Sequence, residues 1–171
     1  MLLSGETAVG KYPVEAVEMM ARIAGETEKA VENQVEDGVF INISDAISKA
    51  VQRICQNMSI DKVITLTRSG YTAKLIARLK IKQPIIAVTP TQKTKRQLEL
   101  VFGVLPVLMD YQNEPDRIFA VANKLRSMNF IEDNETVLFT SAVRTMKEHA
   151  SNSIEIHRIK DLEFTAQQPI S

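Results

Sequence analysis

Apolar positions in the first 38 residues follow the spacing of a helix. Val14, Val17 and Ala21 recur at helical intervals with Glu and Lys between them, which predicts one long amphipathic helix. Pro13 suits the first turn of that helix, because the N–H that proline lacks has no intrahelical acceptor there. The turn signal Glu36-Asp37-Gly38 predicts where the helix ends.

The pattern then changes to short apolar runs that alternate with helical segments. After a connector at residues 39–43, Ser44 or Asp45 is expected to cap a second helix. Further helical patterns cover residues 69–80 and 91–103, and another begins at Asn113 or Pro115. The five predicted strands are Lys62–Leu66, Pro84–Val88, Val104–Leu108, Thr136–Thr140 and Ser153–Ile159.

Alternation of strands and helices predicts the fold class α/β: a three-layer α/β/α domain with a mostly parallel five-stranded sheet. The last strand follows another strand with no helix between them, so we expect it to be antiparallel at or near an edge. The predicted domain covers residues 44–162. Residues 1–38 hold a strand end and a long helix but no core of their own, and residues 163–171 are predicted to be a disordered tail.

Composition narrows the possible partners and compartments. The 171 residues carry 21 basic and 21 acidic side chains, so the basic excess typical of nucleic-acid binding is absent. No apolar run approaches the roughly 20 residues that a membrane-spanning helix needs. Cys55 is alone, so no internal disulfide can form. The chain is therefore expected to be cytoplasmic, without a nucleic-acid or membrane partner.

The strongest candidate site is a six-residue turn between a predicted strand and the helix that follows it. Free amides and the positive end of the helix dipole favour an anion at such a position. Hydroxyl groups and a guanidinium add side-chain donors, and glycine lets the backbone approach a ligand closely. The residues are Thr67, Arg68, Ser69, Gly70, Tyr71 and Thr72. The alternative is that Ser69 and Thr72 only cap the helix.

Other candidate chemistry in the sequence is weaker. The opening stretch Ser4-Gly5-Glu6-Thr7 has no Gly-Lys-Ser/Thr ending of a P-loop, and its acidic side chain would repel phosphate. His149 and His157 are the only histidines, and neither stands at metal-ligand spacing from Cys55 or from carboxylates. We expect no metal site in this chain.

The order of several longer strings resembles one enzyme family. "LLSGETAVGKYPVEAVEMMARIAGETE" resembles the end of the catalytic barrel of pyruvate kinase and the helix beyond it. "ISDAISKAVQRI", "VITLTRSGYTAKLIARLK", "PIIAVTPTQKTKRQLELVFGVLPVL" and "ETVLFT" follow in the order of that enzyme's C-terminal domain. The resemblance covers nearly the whole chain. It implies that residues 1–38 match the last strand end and helix of a (β/α)₈ barrel.

The resemblance also implies which parts of the enzyme are not represented in these residues. In pyruvate kinase, phosphoenolpyruvate, Mg²⁺ and K⁺ are bound by earlier barrel strands. Ser4 and Glu6 match positions at the rim of the active site, and Val9 stands where the family commonly has a lysine near the nucleotide. We therefore expect the chain alone to hold no cofactor and to be inactive in phosphoryl transfer.

For the C-terminal domain, the resemblance implies regulation and subunit contacts. In many relatives the turn at Thr67–Thr72 grips one phosphate of a sugar bisphosphate, and Arg117 falls where the family has an effector-binding arginine. A tryptophan that also holds that effector has no counterpart, because the chain has no Trp. The last loop, residues 141–152, lacks the family's glycines and offers Arg144 and Lys147. We expect a phosphorylated effector of different shape, with one of these two as the second anion clamp.

Three functions are compatible with the sequence. The first is the regulatory and oligomerisation portion of a pyruvate kinase. The second is a stand-alone module that binds a phosphorylated metabolite, and the third is an assembly domain whose anion pocket is vestigial. A reading frame that continues upstream of Met1 would favour the first over the second. A homo-oligomer is expected, because the apolar stripe of the first helix needs a partner.

Overall fold

The computed structural model describes residues 2–29, 42–114, 116–142 and 151–162. The chain divides into two compact units, Met1–Gln34 and Val35–Ser171. The first unit contains α1 (Gly5–Ala8) and α2 (Pro13–Lys29). The predicted long helix is confirmed up to residue 29, and its predicted end near Gly38 lies outside the described residues.

The second unit is an α/β domain built on one five-stranded sheet. Its helices are α3 (Ile43–Asn57), α4 (Tyr71–Arg78), α5 (Gln92–Leu98) and α6 (Arg117–Ser127). Its strands are β1 (Lys62–Leu66), β2 (Ile85–Thr89), β3 (Val104–Leu108), β4 (Thr136–Ser141) and β5 (Ser153–Arg158). All five predicted strands are confirmed, each to within one residue at either end.

The sheet has the order β3-β2-β1-β4-β5. The first four strands run parallel, and β5 pairs antiparallel with β4 at the edge, as the sequence predicted. The chain leaves β1 toward β2 and β3 and then returns to the other side of β1 as β4. The carboxyl ends of β1 and β4 therefore form the topological switch point, where open α/β sheets bind their ligands.

Both faces of the sheet are covered, which confirms the three-layer architecture. Ile64 and Val88 pack on one face with Val121 of α6. On the other face, Val63 packs with Val51 of α3, and the same cluster includes α4. Period-two alternation along the strands sends neighbouring residues to opposite faces, so strands that are apolar throughout are buried on both sides.

The start of α3 differs from the prediction. The N-cap is Asn42, whose Oδ1 accepts a hydrogen bond from the Asp45 amide at 2.9 Å. Ser44 and Asp45, which were expected to cap the helix, lie inside its first turn and are buried. An amide side chain at N-cap serves as well as a hydroxyl or a carboxylate, so the apolar pattern alone could not separate these neighbours.

Two further helix ends also differ. α5 ends at Leu98 rather than at Gly103, because the Val101 amide bonds to the Leu98 carbonyl and the Val104 amide bonds to the Val101 carbonyl. α6 begins at Arg117 with Asp116 as its N-cap, later than the predicted start at Asn113 or Pro115. No helix within the described ranges is long and apolar enough to cross a membrane. The predicted tail, residues 163–171, lies outside those ranges.

Candidate functional site

The turn between β1 and α4 lies at the carboxyl end of the central strand. Gly70 is the N-cap of α4 and adopts a left-handed conformation with φ of +78°. Its amide donates to the Thr67 hydroxyl at 2.9 Å, which closes the turn. A Cβ at Gly70 would lie 3.1 Å from Leu98 Cδ2 and 3.2 Å from Thr94 Cγ2. Glycine is therefore required here both by the backbone conformation and by the close approach of α5.

Thr72 brings an unpartnered hydroxyl to this turn. The residue is 2 % exposed, and its hydroxyl forms no hydrogen bond with any part of the chain that the structure describes. It lies in the first turn of α4, where the backbone amides have no intrahelical acceptors. Donors from the side chain and from the backbone thus meet at one helix terminus.

The alternative of simple helix capping has little support in the geometry. The N-cap Gly70 has no side chain to accept a capping bond. Ser69 Oγ accepts from the Tyr71 amide at 3.4 Å, which is long for a hydrogen bond. Thr72 caps nothing. Ser69 and Thr72 therefore make no short capping bond to the helix, whereas the Thr67 hydroxyl already accepts from the Gly70 amide.

Arg68 and Tyr71 point toward neighbouring loops. Arg68 Nη2 donates to Gln112 Oε1 at 2.6 Å, which ties the turn to the loop after β3. The Tyr71 hydroxyl accepts from Asn42 Nδ2 at 3.4 Å, at the N-terminus of α3. Three segments that are distant in sequence therefore meet at this edge of the sheet.

Arg117 lies at the start of α6. Its Nη1 donates to the carbonyl of Ala142, which follows β4, at 3.5 Å.

Burial raises the pKa of Tyr111 to about 12, and the positive charges of Arg117 and Arg68 oppose that rise. Tyr111 is buried and follows β3. The structure thus places both guanidinium groups within electrostatic range of one phenol.

The remaining candidates lie elsewhere. Arg144, Lys147 and His149 fall outside the described residues. Ser4 and Glu6 belong to the first unit, where the Ser4 amide donates to the Glu6 carboxylate at 3.1 Å. Backbone hydrogen bonds hold the pKa of Glu6 below its usual value. In the described parts of the chain, no three His, Cys, Asp or Glu side chains are placed to hold a metal ion.

Sequence reasoning missed four residues that shape this site. They are Tyr111 and Gln112 in the loop after β3, and Thr91 and Thr94 at the start of α5. Thr91 and Thr94 both donate hydrogen bonds to the Arg68 carbonyl. One general signal was available: loops after neighbouring parallel strands meet at the carboxyl edge.

Comparison with known proteins decides the family. A family model described as "Pyruvate kinase, alpha/beta domain" matches residues 45–157. The chain belongs to the pyruvate kinase family. The matched range contains the whole β1–α4 turn and Arg117.

Three relatives support the same assignment. The chain is 36% identical over 169 residues to pyruvate kinase of Geobacillus stearothermophilus, covering 95% of this chain and 29% of the relative. It is 35% identical over 162 residues to pyruvate kinase of Thermotoga maritima, covering 93% and 34%. It is 34% identical over 162 residues to pyruvate kinase 2 of a Synechocystis species, covering 94% and 27%.

These pyruvate kinases are about three times as long as this chain, since the matched part spans 27% to 34% of their length. The match covers nearly the whole chain and therefore reaches into the first unit, as the sequence resemblance predicted. The α/β unit corresponds to the C-terminal domain of pyruvate kinase, and the β1–α4 turn lies at that domain's switch point.

Proposed function

We propose that this chain is the regulatory and subunit-contact portion of a pyruvate kinase and that it binds a phosphorylated effector at the turn Thr67–Thr72. The observation that carries the proposal is the Thr72 hydroxyl, which belongs to a residue only 2 % exposed and has no hydrogen-bond partner in the described chain. This hydroxyl is free to donate a hydrogen bond to an oxygen of a bound phosphoryl group.

The charges around the turn favour an anion over a neutral ligand. The amides at the start of α4 carry the positive end of the helix dipole. The Arg68 guanidinium lies beside the turn, and its contact with Gln112 leaves a positive charge at the rim. No acidic side chain lies within the turn itself. A phosphoryl group fits this set of donors because it offers several acceptor oxygens to hydroxyls and amides at once.

A second anionic group of the effector would be held near Arg117 and in the last loop. The positive charges of Arg117 and Arg68 both lower the pKa of Tyr111. Both charges are therefore close enough to this phenol to favour an anion beside it. Arg144 and Lys147 remain our prediction for the second clamp. The absence of tryptophan from the sequence supports an effector other than the sugar bisphosphate of many relatives.

The parent reaction, phosphoryl transfer from phosphoenolpyruvate to ADP, is proposed to need residues beyond these 171. Positioning of the phosphoryl group and metal-borne charge dominate that chemistry. By resemblance, the residues that hold Mg²⁺ and K⁺ come from barrel segments that these 171 residues do not match. Ser4 and Glu6 would act only at the rim of that active site.

Homo-oligomerisation is part of the proposal. Val14 and Val17 on α2 are each more than half exposed in the structure. A second copy of this chain would cover such apolar positions. Analytical ultracentrifugation tests this, and a monomer at all concentrations would contradict it.

A thermal-shift titration of the full chain tests effector binding. The compounds are inorganic phosphate, sugar monophosphates, fructose 1,6-bisphosphate, AMP and ATP, and the variant is Thr72→Val, which removes the hydroxyl and keeps the shape. Thr65→Val is the matched control, because the Thr65 hydroxyl likewise has no partner but is buried within β1. A ligand at about 100 times its Kd stabilises by roughly 2.7 kcal/mol.

The proposal predicts a raised midpoint in the wild type and in Thr65→Val, and a much smaller rise in Thr72→Val. An equal rise in all three proteins would place the ligand elsewhere. No rise with any compound would favour the assembly domain with a vestigial pocket. A stand-alone module and a regulatory portion share the site and differ in whether the reading frame continues upstream of Met1.

A further inference from the structure

Two threonines at the start of α5 contact the β1–α4 turn through a single backbone atom. Thr94 Oγ1 donates to the Arg68 carbonyl at 2.8 Å, and Thr91 Oγ1 donates to the same oxygen at 3.2 Å. Thr91 is the N-cap residue of α5, yet its side chain makes no capping bond to that helix. Both hydroxyls therefore serve the loop of the neighbouring strand.

This contact fixes the direction of the next amide. In a planar trans peptide, the C=O of one residue and the N–H of the next point in opposite directions. Because the Arg68 carbonyl is held toward α5, the Ser69 N–H is directed away from α5. Within the ranges that the structure describes, the Ser69 amide has no acceptor. It is a free donor in the middle of the turn.

Thr94 also supports the residue that follows. Its Cγ2 lies 3.2 Å from the position of a Cβ on Gly70, so its methyl group packs directly against the left-handed glycine. Thr94 is itself buried, with 6 % exposure. One side chain thus holds the peptide between Arg68 and Ser69 with its hydroxyl and the Gly70 backbone with its methyl group.

We propose that Thr94, assisted by Thr91, is a positioning residue for the effector site and aims the Ser69 amide at the bound phosphoryl group. This inference rests on the proposed function of the turn. Thr94 does not touch the ligand, because its hydroxyl is committed to the Arg68 carbonyl. It acts by removing the freedom of that peptide to rotate, so that the donor is already oriented before the anion arrives.

Two variants separate the hydroxyl from the methyl group. Thr94→Val removes the donor to Arg68 and keeps the shape against Gly70. Thr94→Ser keeps the donor and removes the methyl group. If Thr94 has only a structural role, both variants should change the stability of the protein, and the affinity for phosphate should depend on neither the hydroxyl nor the methyl group. If Thr94 is a positioning residue, the affinity for phosphate should fall when the hydroxyl is removed and should stay unchanged when only the methyl group is removed.

The experiment is a titration of the full chain with inorganic phosphate, followed by calorimetry and by the ¹⁵N–¹H signal of the Ser69 amide. Thr94→Val is expected to raise the Kd for phosphate about tenfold, because the Ser69 amide would no longer be oriented to donate a hydrogen bond to the charged ligand. Its Ser69 signal should respond less to phosphate at saturation. Thr94→Ser should restore both the Kd and the Ser69 response. Thr65→Val, a buried threonine without a partner for its hydroxyl, should match the wild type.

Thr91→Val provides a second route if Thr94→Val does not fold, since it removes the longer of the two bonds at a half-buried position. Its Kd for phosphate is expected to rise about threefold, less than for Thr94→Val, because the shorter bond remains. Wild-type Kd values and Ser69 responses in these variants would overturn the positioning role and leave the effector site intact. Wild-type protein that binds no phosphate would overturn the proposed function, and this inference would fall with it.

Discussion

Arg68 Nη2 donates to Gln112 Oε1 over 2.6 Å and so links the turn after β1 to the loop after β3. These residues are 44 positions apart in sequence, and the parallel sheet brings their loops to the same edge. The link holds a guanidinium at the rim of the candidate anion site. The Gln112 side chain is neutral, so this hydrogen bond does not neutralise the charge of Arg68. A phosphorylated ligand would be attracted by that charge.

Replacing Arg68 with methionine should therefore weaken phosphate binding, and the loss should shrink as salt is added, because exposed charges are screened within about 10 Å at 0.1 M ionic strength. Isothermal titration at low and high salt measures this. Arg96→Met is the matched control. Arg96 is exposed on α5, and its replacement removes one positive charge, as Arg68→Met does. Equal losses in both variants would mean that only net charge matters.

Gly70→Ala should destabilise the fold more than Gly103→Ala. Both glycines have positive φ, +78° and +74°, so both substitutions carry about 1–3 kcal/mol of backbone strain. Only at Gly70 would the new Cβ also meet neighbours at 3.1–3.2 Å, whereas nothing lies within 4 Å at Gly103. Urea unfolding gives the difference in the free energy of unfolding. Equal losses would show that α5 moves aside freely.

Asn42→Ala should cost about 0.5–2 kcal/mol of stability, because the side chain caps α3 through the Asp45 amide. Asn42→Asp keeps an oxygen acceptor and should stay close to the wild type. Thermal or urea unfolding of the three proteins tests this. If aspartate proved as destabilising as alanine, the contribution of Asn42 would lie in the Nδ2 contact with Tyr71 instead.

Alkaline pH should destabilise the folded chain in part through Cys55. Burial raises the pKa of this half-buried thiol from 9.0 to about 11, so between these values the unfolded chain loses its proton first. The stability that the neutral thiol contributes is fully present below pH 9 and is lost as pH rises toward 11. Urea unfolding at several pH values should show a shallower decline for Cys55→Ala. A decline of equal slope in both proteins would rule out this thiol as its source.

The three inner strands β1, β2 and β4 were predictable because each is a short run that is buried on both faces of the sheet. The edge strands β3 and β5 are partly exposed. Helix ends were less predictable, since Asn42, Ser44 and Asp45 are all suitable caps and only the tertiary contacts choose among them. α5 ended early because the backbone turned at Val101, which local sequence does not signal.

From the sequence, only the part of the site formed by consecutive residues could be predicted. The turn at Thr67–Thr72 is contiguous and carries its own chemistry. The contacts of Arg68 with Thr94 and Gln112 join residues 26 and 44 positions apart, and no spacing rule relates them. Thr94 belongs to one of the strings that carry the family resemblance, yet the sequence does not show which atom its hydroxyl contacts.

The most direct test of the effector site is a crystal structure of the full chain soaked with tungstate, a phosphate-shaped anion with strong anomalous scattering. We expect an anomalous peak within hydrogen-bond distance of Thr72 Oγ1 and the Ser69 amide, and competing phosphate should remove it. A turn without a peak, while tungstate occupies other positions, would contradict effector binding at this turn and leave Thr67–Thr72 as a helix start without a ligand.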